Sequence, residues 1–267
     1  MSLFTDTEHA NIIELKKVSQ SYDGGQSYVI KDLDFLVEDK PAQGQFVVIL
    51  GMSGSGKSTI LRYIANLQQP TSGEILIHDK PLTKDRRVGM VFQQYSSLPW
   101  MTVLDNVALA LQYQGISEQE RHEKAMEMIA LIGLKGHEYK FAQYPTLSGG
   151  QLQRVAIARS LLADPEILLM DEPFGALDIN TRLQMQDLLA DLWLKFHPTV
   201  IFVTHDISEA VYLGDDIYIL KSAPSHFVEH IKVDLPFHRT RELKRDPKFV
   251  ELVRTVEDKM IDVAKMG

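Results

Sequence analysis

The sequence predicts an α/β fold built around a mostly parallel sheet. Short and wholly apolar runs, such as Phe46–Leu50 and Ile167–Met170, are typical of strands that are buried on both faces. Each run is followed by a segment with helical spacing, Ser58–Leu67 after the first and Thr181–Phe196 after the second. This alternation indicates βαβ units with helices covering the sheet.

Two other regions follow different patterns. Ile12–Val18 alternates apolar and polar residues, and a turn separates it from a second predicted strand, Ile30–Val37. These two segments predict an antiparallel β subdomain at the N-terminal end. The stretch from about 94 to 163 is mostly helical and predicts a separate helical subdomain. We therefore expect one main domain over residues 1–222, which the motifs below predict to bind a nucleotide, and a C-terminal tail with a helix over residues 223–267.

Composition excludes several classes of protein. The chain has 267 residues, of which 45% are hydrophobic, so it can bury a core and is not expected to be disordered. The absence of cysteine excludes a disulfide scaffold, cysteine-ligated zinc and a cysteine nucleophile. A net charge of −8 argues against a nucleic-acid partner. The sequence shows neither a long apolar run nor a signal peptide, which predicts a soluble, cytoplasmic protein.

The strongest local signal is the run Gly51-Met-Ser-Gly-Ser-Gly-Lys57-Ser58, which fits the phosphate-loop pattern G-x-x-x-x-G-K-[ST]. A buried strand precedes it and a helix follows, as that loop requires. Glycines let the backbone wrap around phosphate, and the helix N-terminus adds positive potential. Lys57 can reach the β- and γ-phosphates, and Ser58 can ligate Mg²⁺. The predicted nucleotide-binding residues are Gly51, Ser53, Gly54, Ser55, Gly56, Lys57, Ser58 and Thr59.

Two carboxylates, Asp171 and Glu172, follow the buried run Ile167–Met170. Ligands bind at the carboxyl ends of strands in parallel sheets. Asp171 is therefore predicted to support Mg²⁺, and Glu172 to orient or deprotonate an attacking water. On its own this pair would fit an acidic turn at the surface equally well. Its functional interpretation rests on the phosphate loop being present in the same chain.

A second candidate anion site lies at Ser148, Gly149, Gly150 and Gln151, just before a helix. One nucleotide does not need two phosphate sites in a single chain of this size. The sequence therefore indicates that this segment serves the nucleotide of a partner subunit. Taken alone, it fits an ordinary serine N-cap equally well.

Together these motifs resemble those of an ATP-binding cassette subunit, over nearly the whole chain. The run Leu147-Ser-Gly-Gly-Gln151 resembles the signature of that family. The resemblance implies a P-loop NTPase core with a mostly parallel sheet, an N-terminal antiparallel β subdomain and a helical signature subdomain. It also implies ATP and Mg²⁺ as cofactors and an ATPase activity.

The resemblance assigns roles to four further residues. Tyr22 would stack on adenine, beside a turn at 24–26 that is longer than is usual. Gln93 would sense Mg²⁺ and the lytic water, and Asp178 would lie in a loop that crosses the dimer interface. His205 would contact the γ-phosphate. Other histidines, His137 among them, are expected at the surface.

A narrower resemblance links the chain to bacterial nitrate, sulfonate and taurine importer ATPases. It rests on Leu98-Pro-Trp100 after Gln93 and on the tail motifs around Pro236 and Arg239. It implies transmembrane permease subunits, a second ATPase subunit in a homodimer or heterodimer, and indirect work with a periplasmic or lipoprotein solute-binding protein. The subunit would sit peripherally on the cytoplasmic face of the inner membrane.

Two alternatives stay open from the sequence. A nucleic-acid-linked cassette ATPase is disfavoured by the single cassette and the acidic balance. A non-transport cassette that regulates a membrane complex would carry the same motifs. The transported solute does not touch this subunit, so the sequence does not name it.

Overall fold

The computed structural model describes residues 11–40, 44–82, 88–94, 96–222 and 224–265. The chain divides into two compact units, the first made of Met1–Arg86 with Thr199–Gly267, and the second of Arg87–Pro198. In chain order the elements are β1 (Asn11–Gln20), β2 (Ile30–Glu38), β3 (Gln45–Gly51), α1 (Lys57–Ile64), β4 (Ser72–Ile77), β5 (Lys80–Pro81), β6 (Val88–Val91), α2 (Val103–Tyr113), α3 (Glu118–Leu131), α4 (Gly149–Leu162), β7 (Ile167–Asp171), α5 (Ile179–Phe196), β8 (Thr199–Thr204), α6 (Ile207–Leu213), β9 (Asp216–Lys221), β10 (His226–Lys232), a 3-10 helix (Arg241–Arg245) and α7 (Pro247–Lys265).

The first unit holds one antiparallel sheet and the parallel strands that carry the phosphate loop. The antiparallel sheet has the order β2-β1-β4-β5, as the alternating pattern of the early segments predicts. Strand β3 pairs in parallel with both β8 and β9, and every residue of β3 and β8 is buried. Burial on both faces explains why these two strands are almost wholly apolar.

The second unit combines the parallel pair β6 and β7 with four helices. Helix α2 packs against α3 and α4, and the predicted helical subdomain contains these three helices. Apolar side chains at helical spacing face the interior, among them Val107, Ile129 and Val155, all fully buried. The predicted domain limits at 94–163 and 222/223 stay a prediction.

Four elements among the described residues escaped prediction from the sequence: β5, α6, β10 and the 3-10 helix. Helix α6 is short, and β10 was not expected because the sheet was predicted to end at Ile217–Leu220. The run His226–Lys232 mixes polar and apolar residues, and its pairing with β9 decides that it is a strand.

The predicted tail helix is present as α7, with Phe249 and Val256 buried. Within the described ranges, none of the helices is long and apolar enough to cross a membrane.

Candidate functional site

The phosphate-loop motif lies between β3 and α1 in the first unit. Gly56 is the N-cap of α1 with φ of +86°, a left-handed conformation that favours glycine. No side chain of the described residues caps this helix, and its first turn is free of acidic residues. The Lys57 ammonium donates to the carbonyl oxygens of Gly51 at 2.9 Å and Met52 at 3.0 Å. These features suit an anion, because donors and positive charge converge at one helix end.

His205 lies at the same sheet edge as the phosphate loop. Leu50 of β3 pairs with Thr204 of β8 in parallel, so the residues that follow them, Gly51 and His205, leave the sheet side by side. His205 is exposed, while both strands before it and beside it are buried. The structure therefore places this histidine where the sequence predicts it, at the carboxyl end of a strand next to the loop.

Tyr22, the predicted adenine-stacking residue, lies in the loop after β1 and is 68% exposed. The longer turn beside it is held by Asp23, whose carboxylate accepts hydrogen bonds from the Ser27 amide at 2.9 Å and the Ser21 hydroxyl at 2.8 Å. Hydrogen bonds from Ser27 hold the pKa of Asp23 well below its usual range. The turn is thus internally ordered, and it leaves the Tyr22 ring accessible.

Gln93 and Glu172 come together in the second unit. Val91 of β6 pairs in parallel with Met170 of β7, so the chain leaves both strands at one edge. A Cβ placed on Gly175 would lie 3.4 Å from Gln93 Nε2 and 3.8 Å from Glu172 Oε2. Both side chains therefore border the same small space, with Asp171 as the last residue of β7. An amide and two carboxylates at one sheet edge can hold a metal ion and a water molecule.

The signature segment begins α4. Ser148 is the N-cap, and its hydroxyl accepts from the backbone N–H of Gln151 at 3.3 Å. In return, the side-chain oxygen of Gln151 accepts from the backbone N–H of Ser148 at 2.9 Å. This is a capping box, which satisfies two helix donors reciprocally. Gly150 is buried beside α5, and a Cβ there would lie 2.4 Å from Thr181 Cγ2. Asp178 caps α5 by accepting from the Thr181 N–H at 3.1 Å.

Comparison with known proteins places these features in one family. The ABC transporter family matches residues 36–175. The taurine import ATP-binding protein TauB of Pseudomonas fluorescens (strain Pf0-1) is 40% identical over 90% of this chain and 91% of its own. The nitrate import ATP-binding protein NrtD of Synechocystis sp. is 42% identical over 90% of this chain and 91% of its own. The chain belongs to the ABC transporter family of ATP-binding proteins.

Solved structures confirm the predicted fold class. A dimeric structure of the bacterial ABC transporter cassette MJ0796 has a TM-score of 0.70 and 35% identity, and it covers 84% of this chain and 100% of that chain. The same cassette has also been solved as a dimer in a post-hydrolysis state bound to ADP and phosphate, again with a TM-score of 0.70. The resemblance to taurine and nitrate importer ATPases is likewise confirmed by the named relatives.

The cassette contains several contacts that the sequence did not reveal. Ser225 is fully buried, and its hydroxyl lies 2.7 Å from the Ser55 carbonyl oxygen and 2.8 Å from that of Val29. It thereby anchors the phosphate loop from a turn 170 residues away. Arg159 of α4 donates to the Ser96 carbonyl at 2.8 Å, so it ties the signature helix to the segment after Gln93. Burial lowers the pKa of Arg159.

His137 corrects a prediction, because it was expected as a surface residue. It is half-buried, and its Nε2 lies 3.3 Å from the side-chain nitrogen of Gln151. The Gln151 side-chain oxygen already accepts from the Ser148 N–H, so the side-chain nitrogen of Gln151 faces the His137 ring. His137 thus fixes the orientation of the signature glutamine. A single histidine 14 residues upstream carried no sequence signal for this role.

Proposed function

We propose that this cassette hydrolyses ATP to power a bacterial importer. The observation that carries the proposal is the phosphate loop, with Lys57 inside it, a helix start without a side-chain cap from the described residues and His205 at the adjacent strand end. ATP would bind with its phosphates in the loop, formed by Gly51, Ser53, Gly54, Ser55, Gly56, Lys57, Ser58 and Thr59. Tyr22 would stack on the adenine, and His205 would contact the γ-phosphate.

Magnesium would be held by Ser58, Gln93 and Asp171 together with the nucleotide. These residues offer hydroxyl, amide and carboxylate oxygens, which are the ligands that Mg²⁺ prefers. Bound Mg²⁺ would neutralise charge on the phosphates as the terminal bond breaks. Glu172 would accept a proton from, or orient, the attacking water, and Gln93 would help to position that water.

The second half of each nucleotide site would come from a partner ATPase subunit. Ser148, Gly149, Gly150 and Gln151 of the partner would face the γ-phosphate, with the Asp178 loop crossing the interface. ATP would then bridge two subunits, and hydrolysis would remove the bridge. The dimeric structures of a related cassette support this arrangement. Opening and closing of the dimer is the mechanical output of the cycle.

That output would reach transmembrane permease subunits through the segment after Gln93. Trp100 is 70% exposed, and Phe141 is also exposed in the same unit. Buried Asn106 holds the loop in shape by accepting from the Leu98 N–H at 2.7 Å and donating to its carbonyl at 3.0 Å. A rigid loop that presents an exposed tryptophan suits an apolar binding partner.

The transported solute would be a small anion or organic solute of the nitrate, sulfonate or taurine type, as the names of the relatives suggest. It would be delivered to the permease by a periplasmic or lipoprotein solute-binding protein. The cassette would then sit peripherally on the cytoplasmic face of the cell membrane.

Glu172→Gln tests the catalytic assignment. The amide keeps the shape of the side chain but is not a base, so hydrolysis should fall by about 100-fold or more while ATP still binds. Phosphate release and ATP binding are measured on the same purified chain. Glu127→Gln, an exposed position on α3 of the same unit, is the matched control. Near-normal turnover in the Glu172 variant would remove Glu172 as the catalytic carboxylate.

A further inference from the structure

A chain of hydrogen bonds connects the core of the first unit to the hydroxyl of Tyr22. The Tyr63 hydroxyl donates to Gln20 Oε1 at 2.6 Å. The Gln68 side-chain nitrogen donates to the same oxygen at 3.3 Å and to the Tyr22 hydroxyl at 3.1 Å. Gln20 in turn donates from its own amide nitrogen to the Ser21 carbonyl at 3.1 Å.

The direction of each hydrogen bond follows from the groups involved. A glutamine amide nitrogen has two hydrogens, and both hydrogens of Gln68 are used, one toward Gln20 and one toward Tyr22. The Gln20 oxygen has two lone pairs, which accept from Tyr63 and Gln68. Tyr63 and Gln20 are buried, and burial raises the pKa of the Tyr63 hydroxyl, which keeps it a donor.

The same chain segment links this network to the phosphate loop. Helix α1 begins at Lys57 and carries Tyr63, and the chain then turns at Asn66 with φ of +56°. The N–H of Gln68 bonds to the Arg62 carbonyl at 3.3 Å, which holds Gln68 at the end of the helix. One short segment therefore begins in the phosphate loop, at Lys57, and ends at Gln68, which bonds to the Tyr22 hydroxyl.

We infer that Gln68 is a positioning residue that fixes the Tyr22 ring in the plane that receives adenine. The inference rests on the proposed function, because it presumes that Tyr22 stacks on the base. An exposed tyrosine on a loop samples several rotamers, and ordering it on binding lowers affinity. A hydroxyl already held by Gln68 reduces that ordering cost, which is the general benefit of preorganisation.

The inference predicts a defect that depends on the base. Gln68→Met keeps the length of the side chain but removes both N–H donors, and Tyr22→Phe keeps the ring but removes the acceptor. Each should weaken ATP binding by about 3- to 5-fold, since each loses the hydrogen bond between Gln68 and Tyr22. The double variant should bind no more weakly than either single one, because the bond is lost once.

The test uses calorimetric titration of the full chain without Mg²⁺, with two probes, ATP and inorganic tripolyphosphate. Tripolyphosphate has no base, so all these variants should bind it like the unmodified chain. Gln69→Met is the matched control, because Gln69 bonds to Asn66 at 2.7 Å on the exposed side of the same turn and does not contact Tyr22 in the described structure. It should bind both probes normally.

Three results would overturn the inference. ATP affinity that is unchanged in Gln68→Met would show that Gln68 does not act on the base site. Additive losses in the double variant would show that Gln68 and Tyr22 act separately. An equal loss of ATP and tripolyphosphate affinity would show a general disturbance of the loop instead. Tyr22→Ala separates the positioning role of Gln68 from the proposed stacking of Tyr22 on adenine. Unchanged ATP affinity in Tyr22→Ala would contradict the adenine stacking itself.

Discussion

Two helices of this chain begin within a motif that contains serine and glycine, and their N-termini are built differently. The N-cap of α1 is Gly56, and no side chain of the described residues caps this helix. Helix α4 starts at Ser148, whose hydroxyl and backbone both bond to Gln151 in a capping box. The N-termini of α2, α3, α5 and α6 are also capped by a side chain.

The difference fits the proposal that α1 holds the phosphates of the chain's own nucleotide and that α4 faces the nucleotide of a partner subunit. The N–H groups at the start of a helix need acceptors, and in α1 a phosphate can supply them. In α4 the capping box already satisfies the backbone N–H groups of Ser148 and Gln151, so the start of this helix depends less on a ligand. The Ser148 hydroxyl can also act as a donor, because an oxygen that accepts from Gln151 keeps its own hydrogen.

The largest effect is expected at α1. Lys57→Ala removes the only charged donor of the phosphate-loop motif, and ATP affinity should fall by about 100-fold, since hydrogen bonds to charged groups contribute about 1.5–3 kcal/mol. ATP binding is measured by titration on the isolated chain. Lys80→Ala, an exposed lysine on β5 in the same unit, should bind ATP normally. Unchanged affinity in the Lys57 variant would refute the role of α1 as the phosphate site.

A smaller effect is expected at α4, where stability and hydrolysis can be separated. Ser148→Ala removes the cap and the donor, so it should lower the free energy of unfolding by about 1 kcal/mol and slow hydrolysis about 10-fold. Ser148→Asp keeps a good cap but has no hydrogen to donate, so it should restore stability and leave hydrolysis slow. Denaturant titration and phosphate release are measured on both variants.

The Ser148 pair distinguishes the two interpretations of the signature that the sequence left open. If the aspartate variant regained both stability and hydrolysis, Ser148 would be an ordinary N-cap. If it regained stability alone, the hydroxyl donates to something that the isolated helix does not contain. The second result is the one we expect from a donor that faces a partner's nucleotide.

The sequence predicted the parts of the site that lie within local motifs. The strands β3 and β8 are uniformly apolar because both faces are buried, so they are visible as short runs. Parallel pairing of β3 with β8 and of β6 with β7 then places Gly51 near His205 and Gln93 near Glu172. The end of its strand was sufficient to place His205 near the phosphate loop, whereas the role of Gln93 was predicted only from the family resemblance.

The supporting contacts could not be predicted because they join distant positions. Ser225 reaches Ser55, Arg159 reaches Ser96 and His137 reaches Gln151 through tertiary packing. Hydrophobic periodicity indicates which face of a helix or strand is buried, but it does not indicate which polar group of another element lies within hydrogen-bond distance. Single polar residues in loops, such as Gln68, carry no pattern until the fold brings a partner within hydrogen-bond distance.

A third effect, on stability alone, concerns the glycines at the two helix starts. Gly56 is needed for its positive φ, so Gly56→Ala strains the backbone by about 1–2 kcal/mol, and the new Cβ would also lie 3.1 Å from Ser225 Oγ. Gly150 is needed for space, because a Cβ would meet Thr181 Cγ2 at 2.4 Å. Overpacking costs about 1–3 kcal/mol, and alanine returns about 0.5–1 kcal/mol of helix propensity, so Gly150→Ala should lower the free energy of unfolding by about 1 kcal/mol.

Thr181→Ser decides between these two causes, since it deletes the clashing methyl group but keeps the N–H that Asp178 accepts. Denaturant titration of both single variants and the double variant gives the coupling energy. We expect Gly150→Ala to cost nothing once Thr181 is serine, because only the clash opposed it and alanine suits a helix better than glycine. The same Thr181 change should leave the Gly56→Ala cost untouched. A Gly150 cost that persisted in the double variant would show that the signature glycine, like Gly56, is required by its backbone rather than by its neighbour.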